Sequence, residues 1–214
     1  MRLRTGETEA VGWRVVPLGE VVRLLGADAA LSGGRPRLIA IDGRGGSGKT
    51  TLAALLSAAV PHSAVVHTDD LAWNHAYFAW AELLATHILR PLHRGEPVDF
   101  RPGAWTAHGR PGSITVPATA PVVWVEGTGA VRAELAGWLD ASVWMQGDLD
   151  AQERRTTLRD GDATPQREHV TNWLREETPF LARERPWEHA TLIVGGPAPL
   201  AHDPRTELVI APPG

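Results

Sequence analysis

The sequence predicts an α/β fold in which a parallel sheet is covered by helices on both faces. Short apolar runs, the length of buried strands, alternate with longer segments of helical composition along the 214 residues. Several of these runs end in glycine or acidic residues, as strands do where they meet a loop at the edge of a parallel sheet. Hydrophobic residues make up 43% of the chain, which is enough for a substantial core.

Five runs are predicted to be strands, and six segments are predicted to be helices. The strands cover residues 37–42, 64–68, 121–126, 141–145 and 191–194. The helices cover residues 17–31, 49–60, 75–93, 130–139, 150–160 and 167–183. Residues 95–121 are rich in proline and glycine and are expected to form an irregular excursion or a small hairpin. We expect residues 1–214 to form a single domain.

Composition and charge exclude several functional classes. The formal net charge is −4, without the basic excess typical of proteins that wrap nucleic acid. The chain contains no cysteine, which excludes disulfides, thiol catalysis and cysteine-ligated zinc. No apolar run approaches the roughly 18 residues of a membrane span, and the N-terminus lacks the apolar segment of a signal peptide. We therefore expect a cytoplasmic protein that binds neither nucleic acid nor membrane.

A glycine-rich motif follows the first predicted strand and leads into a predicted helix. Residues 43–50 read GRGGSGKT, a full match to the phosphate-loop pattern G-x-x-x-x-G-K-[ST] in the context that the pattern requires. In such a loop the backbone N–H groups turn inward around phosphates, and the helix N-terminus adds a partial positive charge. The sequence thus predicts a site for ATP with Mg²⁺, formed by Gly43, Gly45, Gly46, Ser47, Gly48, Lys49, Thr50 and Thr51.

Lys49 is the single lysine among 21 basic residues, the other 20 being arginines. A compact ammonium group lies between two phosphate oxygens as a point charge, which the wide planar guanidinium cannot imitate. We therefore predict that Lys49 is catalytic and contacts the β- and γ-phosphates. The Thr50 hydroxyl is predicted to be a ligand of Mg²⁺.

Acidic residues follow two further predicted strands, at the edge of the sheet where ligands bind in such folds. Asp69 and Asp70 come directly after the second strand, and Glu126 ends the third. Phosphoryl transfer to a hydroxyl needs one carboxylate that takes the acceptor's proton and another that helps to hold Mg²⁺. We predict Asp69 in the catalytic, metal and substrate sites, Asp70 in the substrate site, and Glu126 at the metal. Either aspartate could instead cap the next helix.

Two arginines of the predicted helix 150–160 are candidates for a lid over the nucleotide. Arg155 and Arg159 are four residues apart, so their side chains share one face. As part of a lid spanning residues 150–168, they would stabilise charge on the transferring phosphoryl group. The alternative is a solvated helix face on which they pair with neighbouring acids.

Residues 71–120 form the expected acceptor-site excursion. Trp73 and Trp105 belong to this segment and are candidates for stacking on a flat substrate, with core packing as the alternative for each. Arg101 is a further candidate for contact with the substrate.

Three motifs together resemble the uridine kinase group of phosphate-loop kinases, which includes nicotinamide riboside kinases. They are IDGRGGSGKTTLA, the HTDDL that follows the second strand, and VVWVEG, and the stretch ERRTTLRD is similar to the family's arginine-bearing lid. The resemblance implies a three-layer fold with a five-stranded parallel sheet in the order 2-3-1-4-5. It also implies Asp69 as the catalytic base, Thr50 and Glu126 at Mg²⁺, a small-molecule acceptor and a homo-oligomer.

The chain departs from that family in the excursion after the second strand. Members that bind nucleosides usually carry a Tyr-Asp pair there, whereas this chain has Arg-Pro-Gly-Ala-Trp at residues 101–105. Loss of a stacking ring and a hydrogen-bonding carboxylate weakens the recognition of a pyrimidine riboside, by about 1–3 kcal/mol for each missing polar partner. The acceptor therefore stays open between a nucleoside, a riboside and another metabolite alcohol.

Three other functions compete with a small-molecule kinase. A nucleoside monophosphate kinase would need extra cations for the acceptor phosphate, which Arg101, Arg110 and the lid arginines could supply. A GTP-dependent switch is disfavoured because its N-K-x-D motif needs a second lysine. A regulatory nucleotide-binding protein without catalysis is the third alternative, and the missing Tyr-Asp pair is consistent with it.

Overall fold

The computed structural model describes residues 1–4, 6–29, 34–160, 164–196 and 200–213, without the side chains of residues 159, 160, 164–167 and 169. The strands in chain order are β1 (Arg14–Pro17), β2 (Arg37–Gly43), β3 (Ala64–His67), β4 (Val98–Phe100), β5 (Ile114–Val116), β6 (Val122–Glu126), β7 (Ala141–Gln146), β8 (Leu192–Gly195) and β9 (Glu207–Ala211). The α-helices are α1 (Leu18–Leu24), α2 (Lys49–Ala59), α3 (Thr68–Ala72), α4 (Ala81–Leu84), α5 (Arg90–His93), α6 (Gly103–Ala107), α7 (Leu149–Asp160), α8 (Thr164–Glu184) and α9 (Pro186–His189).

Within the described residues, the central sheet has seven strands in the order β1-β9-β8-β7-β2-β6-β3. Its parallel part, β3-β6-β2-β7-β8, consists of the five strands predicted from the sequence, in the predicted order. The expectation of a five-stranded sheet is wrong, because β9 pairs antiparallel with β8, and β1 pairs antiparallel with β9. These two added strands extend the sheet at the edge next to β8.

Alternate residues of the central strands face two separate helical layers. From β2, Ile39 and Ile41 pack in one cluster with residues of α1 and α2, such as Leu52. Leu38 and Ala40 of the same strand face the opposite side and pack with the segment that contains α4 and α5. Because β2 is buried from both sides, the fold has three layers, as predicted.

Several helices differ in length or type from the prediction. The predicted helix 17–31 ends at Leu24, and the chain then turns through Gly26, whose φ of 65° suits glycine. The predicted helix 75–93 begins only at Ala81, and its middle, Ala85–Leu89, is π-helical. In place of the helix predicted over 130–139 there is a short 3₁₀ helix, Ala133–Trp138.

The last of these differences has a local cause. The backbone N–H groups of Gly129 and Val131 donate to the buried carboxylate of Asp42, at 2.9 and 2.8 Å. Arg132 is extended, with φ of −115° and ψ of 154°. An α-helix cannot begin until these residues have left that carboxylate, so the helical turns start at Ala133.

The Pro- and Gly-rich segment 95–121 contains a small hairpin, which is one of the two conformations expected from the sequence. β4 and β5 pair antiparallel, with Val98 opposite Val116, and α6 lies between them.

None of the helices in the described ranges combines the length and the apolar composition that crossing a bilayer requires.

Candidate active site

The carboxyl ends of β2, β3 and β6 meet at one edge of the sheet and open into a cavity of about 820 Å³. The phosphate loop (residues 43–50) follows β2, Asp69 lies in the short helix after β3, and Glu126 ends β6. Lys49, Thr50, Asp69 and Glu126 all line this cavity. The fold therefore brings together four residues that the sequence predicted to act together.

The phosphate loop has the backbone conformation that its glycines allow. Gly46 and Gly48 have φ angles of 73° and 99°, and Gly48 is the N-cap from which α2 starts at Lys49. The Ser47 N–H donates to the Arg44 carbonyl at 3.1 Å, which closes the turn. Ser47 is fully buried, and the Thr128 hydroxyl donates to the Gly43 carbonyl at 2.9 Å. These two hydrogen bonds hold the loop in place, while Gly45 and Gly46 line the cavity.

Replacement of Gly46 by alanine should disrupt the loop. A Cβ there would lie 2.5 Å from the Gln152 carbonyl oxygen and 2.6 Å from Thr156 Oγ1, both on α7, in addition to the strain of a positive φ. We expect Gly46→Ala to weaken MgATP binding by about 5- to 30-fold, as the roughly 1–2 kcal/mol cost of left-handed backbone implies. Titration calorimetry checks this result. Gly19→Ala is the matched control, since its Cβ would meet nothing within 4 Å; equal binding by both variants would contradict the prediction.

Lys49 and Thr50 project toward the same part of the cavity. Lys49 Nζ donates to the Arg44 carbonyl oxygen at 3.1 Å, so the ammonium lies against the loop itself. The Thr50 hydroxyl donates to Glu126 Oε1 at 3.2 Å. Glu126 Oε2 in turn lies 2.7 Å from His67 Nδ1, and this hydrogen bond raises the pKa of His67. Glu126, with 6% of its surface exposed, is therefore held at both oxygens.

The donor set at this point suits Mg²⁺. Thr50 and Glu126 offer hard oxygen atoms within hydrogen-bond distance of each other, and the Asp69 carboxylate lines the same cavity. In the part of the chain that the structure describes, no group of three His, Cys, Asp or Glu side chains forms a complete metal cage. Mg²⁺ is typically held by one or two protein oxygens, with phosphate and water completing its octahedron, so a sparse site of this kind fits it.

Asp69 has the environment of a carboxylate with raised basicity. Its side chain is open to the cavity, but the cavity walls displace enough water to raise its pKa above the ordinary value. The neighbouring carboxylates of Glu126 and Asp70 raise the pKa further, whereas the Lys49 ammonium opposes them. Asp69 thus lies within electrostatic reach of Glu126 and Lys49 while its side chain is open to the cavity.

Three predicted substrate residues lie outside the described lining of the cavity. Asp70 turns away and pairs with Arg110, at 2.5 Å. Trp105 is 4% exposed and donates its indole N–H to the Asp70 carbonyl at 2.8 Å. Arg101 donates to the Arg110 carbonyl at 2.7 Å. Trp73 does line the cavity, and the Arg110 guanidinium lies 5.3 Å from the centroid of its ring.

The predicted lid packs directly on the phosphate loop. Gln152 and Thr156 of α7 line the cavity above Gly46. Arg155 Nη2 donates to the Gly196 carbonyl at 3.2 Å, and partial burial lowers its pKa. The side chain of Arg159 falls outside the described part of the chain. The structure brings Arg155 close to the loop, with Nη1 4.0 Å from where a Cβ on Gly48 would lie.

The sequence did not reveal all the aromatic side chains that line the cavity. Tyr77 and Trp173 meet edge to face, with ring centroids 5.2 Å apart, and line the cavity together with Trp73. Trp173 belongs to α8 and is distant in sequence from the other two rings. One indole in a helical segment has no periodic signal that separates a cavity wall from core packing, so only the fold could identify it.

Asp42 is a further functional candidate that the sequence did not single out. It is fully buried and accepts three backbone hydrogen bonds, from Gly43, Gly129 and Val131. Burial raises its pKa to about 6, against the opposing effect of those N–H donors and of Lys49. Asp42 ties the start of the phosphate loop to the segment after β6, which fixes Lys49 and Glu126 in a common frame.

Comparison with known proteins supports the fold. No protein-family model matches the sequence, and no curated protein matches it significantly. The structure is similar to that of a possible uridine kinase from Bacillus stearothermophilus, with a TM-score of 0.53 and 19% identity over 82% of this chain and 97% of that one. It is also similar to a candidate fructose transport system kinase from Silicibacter sp. TM1040, with a TM-score of 0.53 and 19% identity over 78% of this chain and 88% of that one.

These similarities confirm the predicted phosphate-loop kinase fold, including the likeness to the uridine kinase group that the motifs indicated. Identities of 19% establish the fold alone. What the site does must therefore be argued from its own residues.

Proposed function

We propose that this chain is a kinase that transfers the γ-phosphoryl group of ATP, with Mg²⁺, to a hydroxyl of a small uncharged acceptor. The observation that carries the proposal is that one cavity is lined both by phosphate-loop chemistry and by aromatic rings. Lys49, Thr50 and Glu126 line this cavity, and so do the rings of Trp73 and Trp173. Asp69 lies on the same cavity, so one carboxylate can face both reactants.

The phosphate loop and its neighbours supply charge stabilisation. The loop N–H groups and the N-terminus of α2 favour an anion, and Lys49 adds a mobile positive charge beside them. In transfer, Lys49 leaves the Arg44 carbonyl and follows the charge on the β- and γ-phosphate oxygens. Mg²⁺, held by Thr50 and Glu126, would neutralise phosphate charge when bound.

Asp69 acts as the general base in this proposal. It accepts the proton of the acceptor hydroxyl as the oxygen attacks the γ-phosphorus, and ADP is the leaving group. A raised pKa makes the carboxylate a stronger base than a solvated one. Arg155 of α7, whose charge lies beside the loop, is suited to stabilise the transferred group.

The charges around the cavity favour an uncharged acceptor over a nucleoside monophosphate. Arg101 and Arg110 lie outside the described lining of the cavity; Arg101 donates to the Arg110 carbonyl, and Arg110 pairs with Asp70. Of the described cations on the cavity, Arg4 lies 3.5 Å from Glu153 and Arg44 lies 2.9 Å from Glu7. Lys49, the remaining lysine or arginine of the described lining, is placed at the nucleotide phosphates in this proposal. The carboxylates of Asp69, Glu126, Glu153 and Glu177 line the same cavity and would repel an acceptor phosphate. The indole and phenol rings instead suit a flat or apolar part of an alcohol.

The pH dependence of turnover follows from the Asp69 pKa. Because its pKa in the folded protein lies above the ordinary value, Asp69 is lost as a base while the pH is still above the normal aspartate range. We expect kcat to fall at low pH earlier than a solvated carboxylate would allow. A pH–rate profile checks this result, with thermal unfolding at each pH as the control for acid denaturation. A rate that stays constant down to about pH 4 would contradict the assignment.

The proposal is tested by incubating the full chain with MgATP and a panel of acceptors, while ADP release is followed. The panel contains nucleosides, ribosides, nucleoside monophosphates and other metabolite alcohols. We expect turnover with an uncharged alcohol that carries a planar or apolar group. Turnover with monophosphates alone would replace the proposal by a nucleoside monophosphate kinase, and MgATP binding without any turnover would favour a regulatory binding protein.

A further inference from the structure

Arg44, the second residue of the phosphate loop, forms a buried cluster with two carboxylate side chains. Arg44, with 5% of its surface exposed, donates from Nε to Glu7 Oε2 at 2.9 Å. Its Nη1 lies 3.8 Å from Glu177 Oε2, and the other oxygen of Glu177 accepts the Gly45 N–H at 3.0 Å. We call these three residues, Glu7, Arg44 and Glu177, the arginine clamp. None of them has a role in the transfer step described above.

The two carboxylates of the arginine clamp are anchored on different parts of the fold. Glu7 comes from the segment before β1, and its Oε1 accepts the indole N–H of Trp144 at 3.0 Å and the Gln146 amide at 3.2 Å, both on β7. Glu177 lies on α8 and is 1% exposed. The clamp therefore joins the N-terminal segment, the central sheet and α8 to a loop that a bound nucleotide must contact.

The backbone of Arg44 connects the clamp to the chemistry of the loop. Its carbonyl oxygen accepts both the Lys49 ammonium and the Ser47 N–H, each at 3.1 Å. A shift of Arg44 would therefore move the resting position of Lys49 and open the turn that shapes the loop. The neighbouring N–H of Gly45 is fixed by Glu177 in the same way.

We propose that Arg44 is a positioning residue for nucleotide binding, and that Glu7 and Glu177 set the geometry of the phosphate loop by holding its guanidinium from two sides. The inference rests on the proposed function, because it assumes that the loop binds ATP. It extends that function to residues outside the loop motif. Glu7 is absent from the described lining of the cavity, and its described contact with the phosphate loop is the ion pair with Arg44, so we expect it to act on the nucleotide through Arg44.

The electrostatics of the clamp explain why each carboxylate matters. Removal of one partner from a buried ion pair leaves the other charge without compensation, and the structure then moves to find water or a new partner. For Arg44, Nη1 already has no hydrogen-bond acceptor, so loss of Glu177 would leave one side of the guanidinium unopposed. A shift of the Arg44 side chain would then displace the backbone of the phosphate loop.

The test measures MgATP affinity by titration calorimetry for the full-length wild type and for Glu177→Ala, Glu177→Gln and Glu7→Ala. We expect Glu177→Ala and Glu7→Ala to weaken binding by about tenfold or more, equivalent to about 1.4 kcal/mol. Glu177→Gln keeps an oxygen for the Gly45 N–H but loses the charge, so it should recover part of the loss. Arg35→Gln is the matched control: it breaks the Arg35–Asp140 ion pair of 2.7 Å at the opposite end of β2.

Thermal unfolding without ligand separates positioning from simple destabilisation. Arg35→Gln and the clamp variants are both expected to lower Tm, but only the clamp variants should change affinity at a temperature where all are folded. Should Glu177→Ala fail to fold, Glu177→Gln and Glu7→Ala decide the question. MgATP affinities within twofold of wild type for those variants would overturn the clamp and leave the kinase proposal standing. A wild type that binds no MgATP would overturn both.

Discussion

Asp69→Asn is expected to abolish phosphoryl transfer while MgATP still binds. The amide cannot accept the proton of the acceptor hydroxyl, and general-base catalysis contributes about 10²–10⁴-fold in rate. We therefore expect kcat to fall by at least about a hundredfold, with MgATP affinity changed only severalfold, because the loop, Lys49 and Glu126 are intact. Single-turnover kinetics with the acceptor found in the panel, together with calorimetry for MgATP, check the two parts separately.

Asp70→Asn is the matched control for this variant. It makes the same chemical change one residue along the chain, but Asp70 faces Arg110 rather than the cavity. We expect a much smaller effect on kcat, with some loss of stability because the partner of Arg110 is weakened. If Asp69→Asn turned over at a rate near that of the wild type, or if Asp70→Asn were the more damaging variant, Asp69 would not be the base.

Lys49→Ala is expected to have the second large effect. Loss of one preorganised charge at a site of developing negative charge typically lowers kcat by about 10²–10³-fold, and Lys49 is the single lysine of the chain. MgATP affinity should fall as well, since the ammonium lies beside the loop in the ground state. Because Lys49 is half-buried and donates to one carbonyl, Tm should change little.

Lys49→Arg distinguishes the shape of the cation from its charge. The planar guanidinium keeps the charge but cannot fit between two phosphate oxygens as a point donor, so it should restore little of the lost rate. Steady-state and single-turnover rates for both variants provide the comparison. Full activity of Lys49→Arg would show that a diffuse positive charge suffices, and full activity of Lys49→Ala would remove Lys49 from the mechanism.

The parallel core of the fold was predictable because its signals are local. Runs such as 37–42 and 121–126 are continuous apolar segments, the pattern of strands buried on both faces, and the glycine motif fixes the loop that follows the first of them. The order of the five strands came from the family resemblance, and the registers of β2 with β6 and β7 agree with it. Strong local patterns, together with the strand order implied by the resemblance, were enough to predict the parallel core.

The two antiparallel strands, β1 and β9, were not predicted, for a physical reason. β1 has a single buried residue, Val16, and so lacks the alternation that marks a half-buried strand. Its partner is nearly the whole chain away, with Arg14 opposite Ile210. A strand whose burial depends on a distant segment carries little local information, since packing against neighbours, not propensity, decides its state.

The sequence predicted the cavity residues that directly follow strands of the sheet. It did not predict the residues whose positions depend on how distant side chains pack. Asp69 and Glu126 line the cavity because each follows a strand of the parallel core. Trp105 was expected at the substrate, but its indole packs beneath Asp70 in the core. Glu7 and Glu177 could not be connected with Arg44 from the sequence, because the three residues meet only after the N-terminal segment and α8 have docked.

The most direct test of the central claim follows the fate of the γ-phosphoryl group. ATP labelled in that group is incubated with the full chain, Mg²⁺ and the acceptor panel, and the products are separated and identified. The account predicts that the label appears on an uncharged alcohol, one for one with ADP, and that Asp69→Asn prevents this transfer. Label found only in unreacted ATP, or only in inorganic phosphate whichever alcohol is present, would contradict it.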